Sequence, residues 1–286
     1  MTDRTLPIAV ASVLDDPPPG ERLTVDAAGM TWSALAWGDP TGRPLLLLHG
    51  VTSSAGNWWR VGPALAATDR RVVAPDLPGH GLTGNWRGQV RFRDNAAGLI
   101  AFAEAVGLVT DDLQIVGHSW GAVTAAAFPV AGLRPATIVL VDPPALPFAF
   151  IAQKATDPTE HGYDDVDQAI VAVRAENPEW SDGDVRNKAE ALTQLDEVAA
   201  RAVVLDNGDW DGGLADLEDP AADDLDVWVV RGDPSAGGYL PDAWIPRFAA
   251  RIGADHILTI KGAPHSPMRT HPVETTADIL RALEAD

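Results

Sequence analysis

Short apolar runs alternate along the chain with stretches whose apolar positions recur every three or four residues. The run Pro44–Leu48 is continuous and of strand length, which is typical of a strand buried on both faces. The stretch Asp94–Gly107 has helical spacing instead, with Asp94 placed to cap its start and Gly107 to end it. Strands and helices that alternate in this way predict an α/β fold, with a mostly parallel sheet and helices on both faces.

The same pattern predicts eight strands and five flanking helices, and the first two strands form an antiparallel pair. The predicted strands are Arg22–Asp26, Met30–Trp37, Pro44–Leu48, Arg71–Ala74, Leu113–Val116, Ala136–Val141, Leu225–Val230 and His256–Ile260. The predicted helices are Asn57–Thr68, Asp94–Gly107, Ser119–Ala131, Pro241–Ile252 and Val273–Leu283.

Between residues 143 and 220 the strand pattern stops. Three stretches rich in acidic residues have helical spacing there, namely Val166–Ala175, Ser181–Thr193 and Glu197–Leu205. We therefore divide the chain into a core, residues 1–142 and 221–286, and a helical insertion, residues 143–220.

Composition narrows the classes of function. Lysine and arginine number 21 against 41 aspartates and glutamates, so the formal charge is −20, which disfavours nucleic acid and anionic membranes as partners. The chain has no cysteine, which excludes disulfides, thiolate nucleophiles and cysteine-bound metals. The apolar stretch Leu6–Leu14 follows a single arginine and lacks a cleavage site, so we expect a soluble cytoplasmic protein that acts on a small molecule. The oligomeric state stays open.

The residues Gly117–Gly121 read Gly-His-Ser-Trp-Gly and stand between a predicted strand and a predicted helix. At such a turn the serine hydroxyl sits on a sharp corner, where larger side chains in place of the glycines would clash. The helix N-terminus also favours negative charge that develops beside it. These features predict Ser119 as a nucleophile, and the alternative is a serine that only caps the helix.

Four motifs in this chain order resemble those of the α/β-hydrolase fold superfamily. They are Leu45–Gly50, a strand that ends in His-Gly, then Asp76–Gly81, Gly117–Gly121 and Gly262–Pro267. The resemblance covers nearly the whole chain outside the helical insertion. It implies an α/β-hydrolase core with an eight-stranded, mostly parallel sheet, a serine hydrolase, and a helical insertion that is the family's lid.

A serine hydroxyl needs an adjacent base, because it is too weak an acid to attack a carbonyl unaided. Of the seven histidines, His265 lies in a Gly/Pro loop just after the last predicted strand, so we predict it as the base. The acid stays open between Asp142, which follows the strand Ala136–Val141, and Asp233 in the sequence Gly-Asp-Pro-Ser. The family's usual acid position in that second loop holds Ser235, and some relatives carry the acid where Asp142 stands. Either aspartate keeps the order serine, aspartate, histidine.

The resemblance also implies an oxyanion hole formed by the backbone N–H groups of Val51 and Trp120. Trp58, after the His-Gly loop, is a candidate for the substrate pocket, as are Phe148 and Phe150 at the entrance of the helical insertion. The alternative is that Trp58 belongs to the core and that the two phenylalanines only attach the insertion to it.

A serine nucleophile favours acyl transfer over the alkyl-carbon chemistry of dehalogenases and epoxide hydrolases of this fold, which attack with a carboxylate. We therefore predict hydrolysis of a carboxylic ester or lactone of a neutral, moderately apolar small molecule through an acyl-enzyme. The alternatives are a carbon–carbon bond hydrolase of a diketone-type substrate and a non-catalytic small-molecule-binding protein.

One further motif resembles a metal site. Residues 207–218 match the spacing of a calcium loop, with Asn207 in the first position and Glu218 in the last. Pro220 interrupts the helix that should follow, so a solvated acidic turn is the favoured interpretation and calcium binding stays open. We predict no cofactor and no catalytic metal.

Overall fold

The computed structural model describes residues 4–85, 90–154 and 162–285. Its strands are β1 (Glu21–Ala27), β2 (Met30–Trp37), β3 (Arg43–Leu48), β4 (Arg70–Pro75), β5 (Gln114–His118), β6 (Thr137–Val141), β7 (Ala145–Leu146), β8 (Trp210–Asp211), β9 (Asp226–Arg231) and β10 (Ile257–Thr259). Eight of them form one sheet in the order β1-β2-β4-β3-β5-β6-β9-β10, and β7 pairs with β8. The predicted α/β class and mostly parallel eight-stranded sheet are confirmed.

The register of the sheet brings the ends of the central strands together. The β1–β2 and β2–β4 pairs are antiparallel, and the other pairs of the large sheet are parallel. Leu48 of β3 lies opposite Gly117 of β5, and Gly117 lies opposite Leu140 of β6. The carboxyl ends of these three strands therefore meet at one edge, which is where parallel α/β sheets place their ligands.

Helices cover both faces of the sheet and make up most of the insertion. They are α1 (Ile8–Asp15), α2 (Val61–Ala66), α3 (Phe92–Ala105), α4 (Trp120–Ala126), α5 (Phe128–Ala131), α6 (Phe148–Lys154), α7 (Val166–Glu176), α8 (Asp182–Thr193), α9 (Glu197–Leu205), α10 (Leu214–Leu217), α11 (Ile245–Ile252), α12 (Pro267–Thr270) and α13 (Pro272–Leu283). No helix among the described residues is long and apolar enough to span a membrane.

Several predicted boundaries were wrong for local reasons. The helix predicted over Ser119–Ala131 is two helices, because Pro129 lacks the N–H that would continue α4 past Ala127. Helix α3 begins at Phe92 rather than at Asp94, whose carboxylate lies in the first turn without capping it. The apolar stretch near the N-terminus forms α1, with Val10 and Leu14 buried against the core.

The apolar core lies on the two faces of the sheet, and Leu46 and Leu48 of β3 point to one face while Leu45 and Leu47 point to the other. The helical insertion adds a small apolar cluster of its own. Its helix α8 packs over the 3₁₀ turn at Ala55–Trp58, which follows the loop after β3. The insertion therefore lies against the loop that was predicted to carry the oxyanion hole.

Candidate active site

The turn from β5 into α4 holds Ser119 in a strained conformation. Its backbone has φ 54° and ψ −120°, in the region that non-glycine residues rarely adopt, and its N–H donates to the carbonyl of Val141 at 3.0 Å. The neighbouring glycines have no room for a side chain. A Cβ on Gly117 would lie 2.2 Å from the carbonyl oxygen of Gly121, and one on Gly121 would lie 2.4 Å from that of Leu48.

His265 bridges Ser119 and Asp142. Its Nε2 lies 2.9 Å from Ser119 Oγ, and its Nδ1 lies 2.6 Å from Asp142 Oδ2. Because a carboxylate can only accept, the proton of the neutral imidazole is on Nδ1 and Nε2 is free to accept from the serine hydroxyl. The row can therefore move a proton from Ser119 to His265 while Asp142 stabilises the imidazolium that forms.

The carboxylate of Asp142 is fully buried at the end of β6 and is held by two backbone donors. Gly232 N–H donates to Oδ1 at 2.9 Å, and Tyr239 N–H donates to Oδ2 at 2.8 Å. Asp233 lies elsewhere, since its carboxylate accepts from Ser235 and from Gly262 N–H. Of the two aspartates that the sequence left open, the structure places Asp142 against His265, whereas Asp233 joins its own turn to the start of the loop that carries His265.

Two aromatic neighbours that the sequence did not single out fix the position of His265. The ring of Tyr239 stacks on the imidazole at a centroid distance of 3.8 Å and an interplanar angle of 19°. His118 donates from Nε2 to the carbonyl oxygen of His265 at 2.9 Å. Burial lowers the pKa of His118 well below its ordinary value, so this ring stays neutral. No local signal distinguishes Tyr239, because the loop before it has to fold back onto β6 first.

His49 fixes the loop that was predicted to supply one oxyanion donor. Its Nε2 accepts from Leu77 N–H at 2.8 Å, so its proton is on Nδ1, which donates to the carbonyl of Gly50 at 2.7 Å. Since N–H and C=O point in opposite directions across a trans peptide, this bond also orients the N–H of Val51. Burial lowers the pKa of His49 to about 4, so it remains a neutral acceptor.

Trp120 supplies the second predicted donor from the first position of α4, where a backbone N–H has no acceptor within the helix. Its side chain is fully buried and lies edge-on to the ring of His49, with centroids 6.3 Å apart. The indole of Trp120 therefore belongs to the core, while its backbone N–H lies beside Ser119.

The three residues predicted to line the pocket have different surroundings. Trp58 is 0% exposed within the apolar core, so its side chain borders no space that a substrate reaches, and the pocket prediction for it is unsupported. Phe148 and Phe150 are 39% and 40% exposed. The ring of Phe150 lies edge-on to that of Tyr239 at 6.1 Å, and so next to the aromatic ring that covers His265.

Several side chains of the acidic segment 207–218 accept hydrogen bonds from backbone N–H groups of the protein. Asn207 accepts from Phe92 N–H, Asp209 accepts from Phe148 N–H, and Asp211 accepts from Gly213 and Ala215. Within residues 4–85, 90–154 and 162–285, no group of three or more histidine, aspartate or glutamate side chains could hold a metal ion. Asp216 pairs with Arg93 and Glu218 with Arg247, so the contacts of this segment are those of caps, turns and ion pairs.

Comparison with known proteins agrees with the fold. The sequence model of the alpha/beta hydrolase family matches residues 45–279. A Pseudomonas putida dihydrolipoyllysine-residue acetyltransferase component of the acetoin cleaving system is 37% identical over 41% of this chain and 30% of its own length. Epoxide hydrolase B of Mycobacterium tuberculosis is 34% identical over 39% of this chain and 31% of its own length.

The chain thus spans about a third of the length of these curated relatives. Among solved structures, an E-2-(acetamidomethylene)succinate hydrolase superposes with a TM-score of 0.76 over 93% of this chain and 100% of that chain, at 18% identity. A likeness at that identity concerns the fold alone.

Proposed function

We propose that this chain, which belongs to the alpha/beta hydrolase family, is a serine hydrolase that cleaves a carboxylic ester or lactone of a neutral, moderately apolar small molecule. The observation that carries the proposal is the hydrogen-bonded row Ser119–His265–Asp142, with distances of 2.9 and 2.6 Å, at a strained strand-to-helix turn. Strain of this kind is maintained only where the surrounding structure enforces it, and it is concentrated at functional sites.

In the first half of the reaction, Ser119 Oγ forms a bond to the carbonyl carbon of the substrate while its proton passes to His265 Nε2. The carbonyl oxygen becomes an oxyanion between the N–H groups of Val51 and Trp120. When the tetrahedral species collapses, the bond to the leaving oxygen breaks and that oxygen takes the proton from His265. An acyl-enzyme on Ser119 remains.

In the second half, a water molecule gives a proton to His265 Nε2 and attacks the acyl carbon. A second oxyanion forms and collapses, Ser119 Oγ leaves and regains the proton, and the carboxylic acid departs. Asp142, held by its two backbone donors, accepts from His265 Nδ1 in both halves and stabilises the imidazolium that forms.

The choice of a neutral substrate rests on the surface charge and on the aromatic rings beside His265. A formal charge of −20 slows the approach of anions, whereas Phe148 and Phe150 offer partly exposed apolar surface. The helical insertion, which carries both phenylalanines, would act as the lid over the site. A hydroxyl nucleophile at Ser119 also sets this reaction apart from the opening of epoxides named for the Mycobacterium tuberculosis relative.

Hydrolysis of p-nitrophenyl acetate and butyrate by the wild-type chain and by Ser119→Ala tests the proposal. We expect turnover and labelling by a fluorophosphonate in the wild type, and loss of both in the variant. Ser12→Ala, in the exposed part of α1, is the matched control and should leave both unchanged. Absence of serine-dependent hydrolysis across acyl chains from two to eight carbons would overturn the proposal. Hydrolysis of a 1,3-diketone in place of esters would instead favour carbon–carbon cleavage.

A further inference from the structure

We propose that Lys188, on helix α8 of the insertion, is a positioning residue that holds the oxyanion loop in its working conformation. This inference rests on the proposed function, because it assigns to Lys188 the orientation of the Val51 N–H group. Lys188 Nζ donates to the carbonyl oxygen of Thr52 at 3.0 Å and to Thr52 Oγ1 at 2.8 Å. The insertion thereby contacts the residue that follows the predicted oxyanion donor.

Thr52 has a conformation that it would not adopt on its own. Its φ is 58°, in the left-handed region, where a β-branched residue is strongly disfavoured. Such a residue keeps this backbone only while its surroundings hold it there. The two bonds from Lys188 act on its side chain and on its carbonyl group, and so restrain its χ1 and ψ torsions.

The hydrogen bonds connect Lys188 to Val51 in one direction. Lysine only donates, so Thr52 Oγ1 accepts from Lys188 and directs its own proton to the carbonyl oxygen of Val51 at 2.7 Å. On the other side of Val51, His49 holds the carbonyl of Gly50. The peptide groups before and after Val51 are therefore each fixed by a hydrogen bond, one from the core and one transmitted from the insertion.

Lys188 is itself firmly placed. It is 9% exposed, and hydrogen bonds from a buried ammonium group are stronger than those between neutral groups. One turn earlier on α8, Asp184 accepts from Trp59 Nε1 at 2.9 Å through its carboxylate and from Arg269 Nη1 at 3.1 Å through its carbonyl. Helix α8 is thus attached to the core at Asp184 as well as at Lys188, and its displacement would break the bonds to Thr52. The seated insertion therefore adds a second restraint to the oxyanion loop, beside the one that His49 supplies from the core.

Lys188→Met tests the inference, because methionine keeps the length and apolar stem of lysine without its donors. We expect kcat for p-nitrophenyl butyrate to fall by about 10- to 100-fold per active site, with KM within about threefold, since an oxyanion donor acts mainly in the transition state. Active sites are counted by fluorophosphonate labelling carried to completion. Arg186→Met, which removes an exposed cation from the same helix, should keep the wild-type kcat.

A second variant separates positioning from a general effect on folding. Asparagine tolerates the left-handed region and has no β-branch. The double variant Lys188→Met with Thr52→Asn should therefore have a kcat at least about threefold higher than that of Lys188→Met alone. Affinity for an alkyl trifluoromethyl ketone, which forms an oxyanion on Ser119, should follow kcat, whereas affinity for the butyrate product should not change. A loss of folding stability alone would lower the melting temperature without changing the affinity for the ketone relative to that for the product.

Three results would overturn the inference while Ser119→Ala remains inactive. These are wild-type kcat in Lys188→Met, no recovery in the double variant, and equal losses of affinity for ketone and product. If Lys188→Met does not fold, Thr52→Val takes its place, because it removes the hydroxyl and keeps the β-branch, and wild-type kcat in that variant overturns the inference. Failure of the proposed function is a different result, namely no dependence of hydrolysis on Ser119.

Discussion

Replacing Asp142 by asparagine tests the row at its buried end. The carboxylate accepts three hydrogen bonds, from Gly232 N–H on Oδ1 and from Tyr239 N–H and His265 Nδ1 on Oδ2. An amide of the same shape has one oxygen, so its NH₂ group must face a donor in either orientation. With the oxygen toward His265, the Gly232 N–H loses its acceptor, and an unsatisfied buried donor costs about 1–3 kcal/mol of folding free energy.

With the NH₂ group toward His265, the imidazole must accept at Nδ1 and carry its proton on Nε2, where it can no longer accept from Ser119. Both orientations also remove the negative charge that stabilises the imidazolium. In a Ser-His-Asp arrangement the corresponding change lowers kcat by about 10⁴-fold, which at 1.36 kcal/mol per tenfold is about 5.4 kcal/mol in the transition state. We expect a loss of this order for Asp142→Asn.

The measurement is kcat for p-nitrophenyl butyrate per labelled active site, with urea unfolding to record the change in folding free energy. Asp233→Asn is the control, since that carboxylate accepts from Ser235 and from Gly262 N–H but does not contact His265, so its loss should alter kcat less than about threefold. A kcat within tenfold of wild type in Asp142→Asn, or an equal loss in both variants, would refute the assignment of Asp142.

Three further predictions concern stability and specificity. Burial lowers the pKa of His49 to about 4 and of His80 to about 3, so below pH 6.5 the unfolded chain binds more protons than the folded chain. From these two rings the free energy of unfolding should therefore fall by roughly 2 kcal/mol per pH unit as the pH is lowered from 6 to 4. Urea titrations of wild type and His80→Gln check this, and an equal slope in the two would contradict it. Gly121→Ala should lower the free energy of unfolding by about 3 kcal/mol or more, because its Cβ would lie 2.4 Å from the Leu48 carbonyl oxygen. Gly107→Ala, whose Cβ meets nothing within 4 Å, should lower it by about 1–2 kcal/mol for its positive φ alone. Equal melting temperatures in the two variants would contradict this difference. Phe150→Ala should lower kcat/KM for p-nitrophenyl octanoate more than for the acetate. An equal change for the two esters would show that Phe150 does not contact the acyl chain.

Local sequence predicted the features of the site that local chemistry determines. The strand-to-helix turn at Ser119 could be predicted, because it requires glycine at 117 and 121. A side chain at either position would clash with the turn itself or with the adjacent strand. The choice between Asp142 and Asp233 could not be made, because both follow strands and only the fold shows which carboxylate contacts His265. The chain order left both aspartates suitable.

The remaining differences have the same origin in long-range contacts. Trp58 follows a motif loop, yet its indole points into the core on the face of the sheet opposite to Trp120. Tyr239 and Lys188 reach the site from the loop after β9 and from the insertion, and neither stands in a sequence motif. Their positions depend on how distant segments pack, which hydrophobic periodicity does not encode.

The histidines around Ser119 show how the fold restricts base chemistry to one ring. His49, His80 and His118 are all buried, and burial lowers the pKa of each, so they remain neutral at ordinary pH. Each donates one ring proton to a backbone carbonyl, of Gly50, Pro78 and His265 respectively. A ring that donates its proton in this way fixes the direction of a backbone carbonyl group, which is a structural role. His265 differs because its Nδ1 faces a carboxylate and its Nε2 faces a hydroxyl, so of these four rings it is the one that can gain a proton at the nucleophile and be stabilised as a cation.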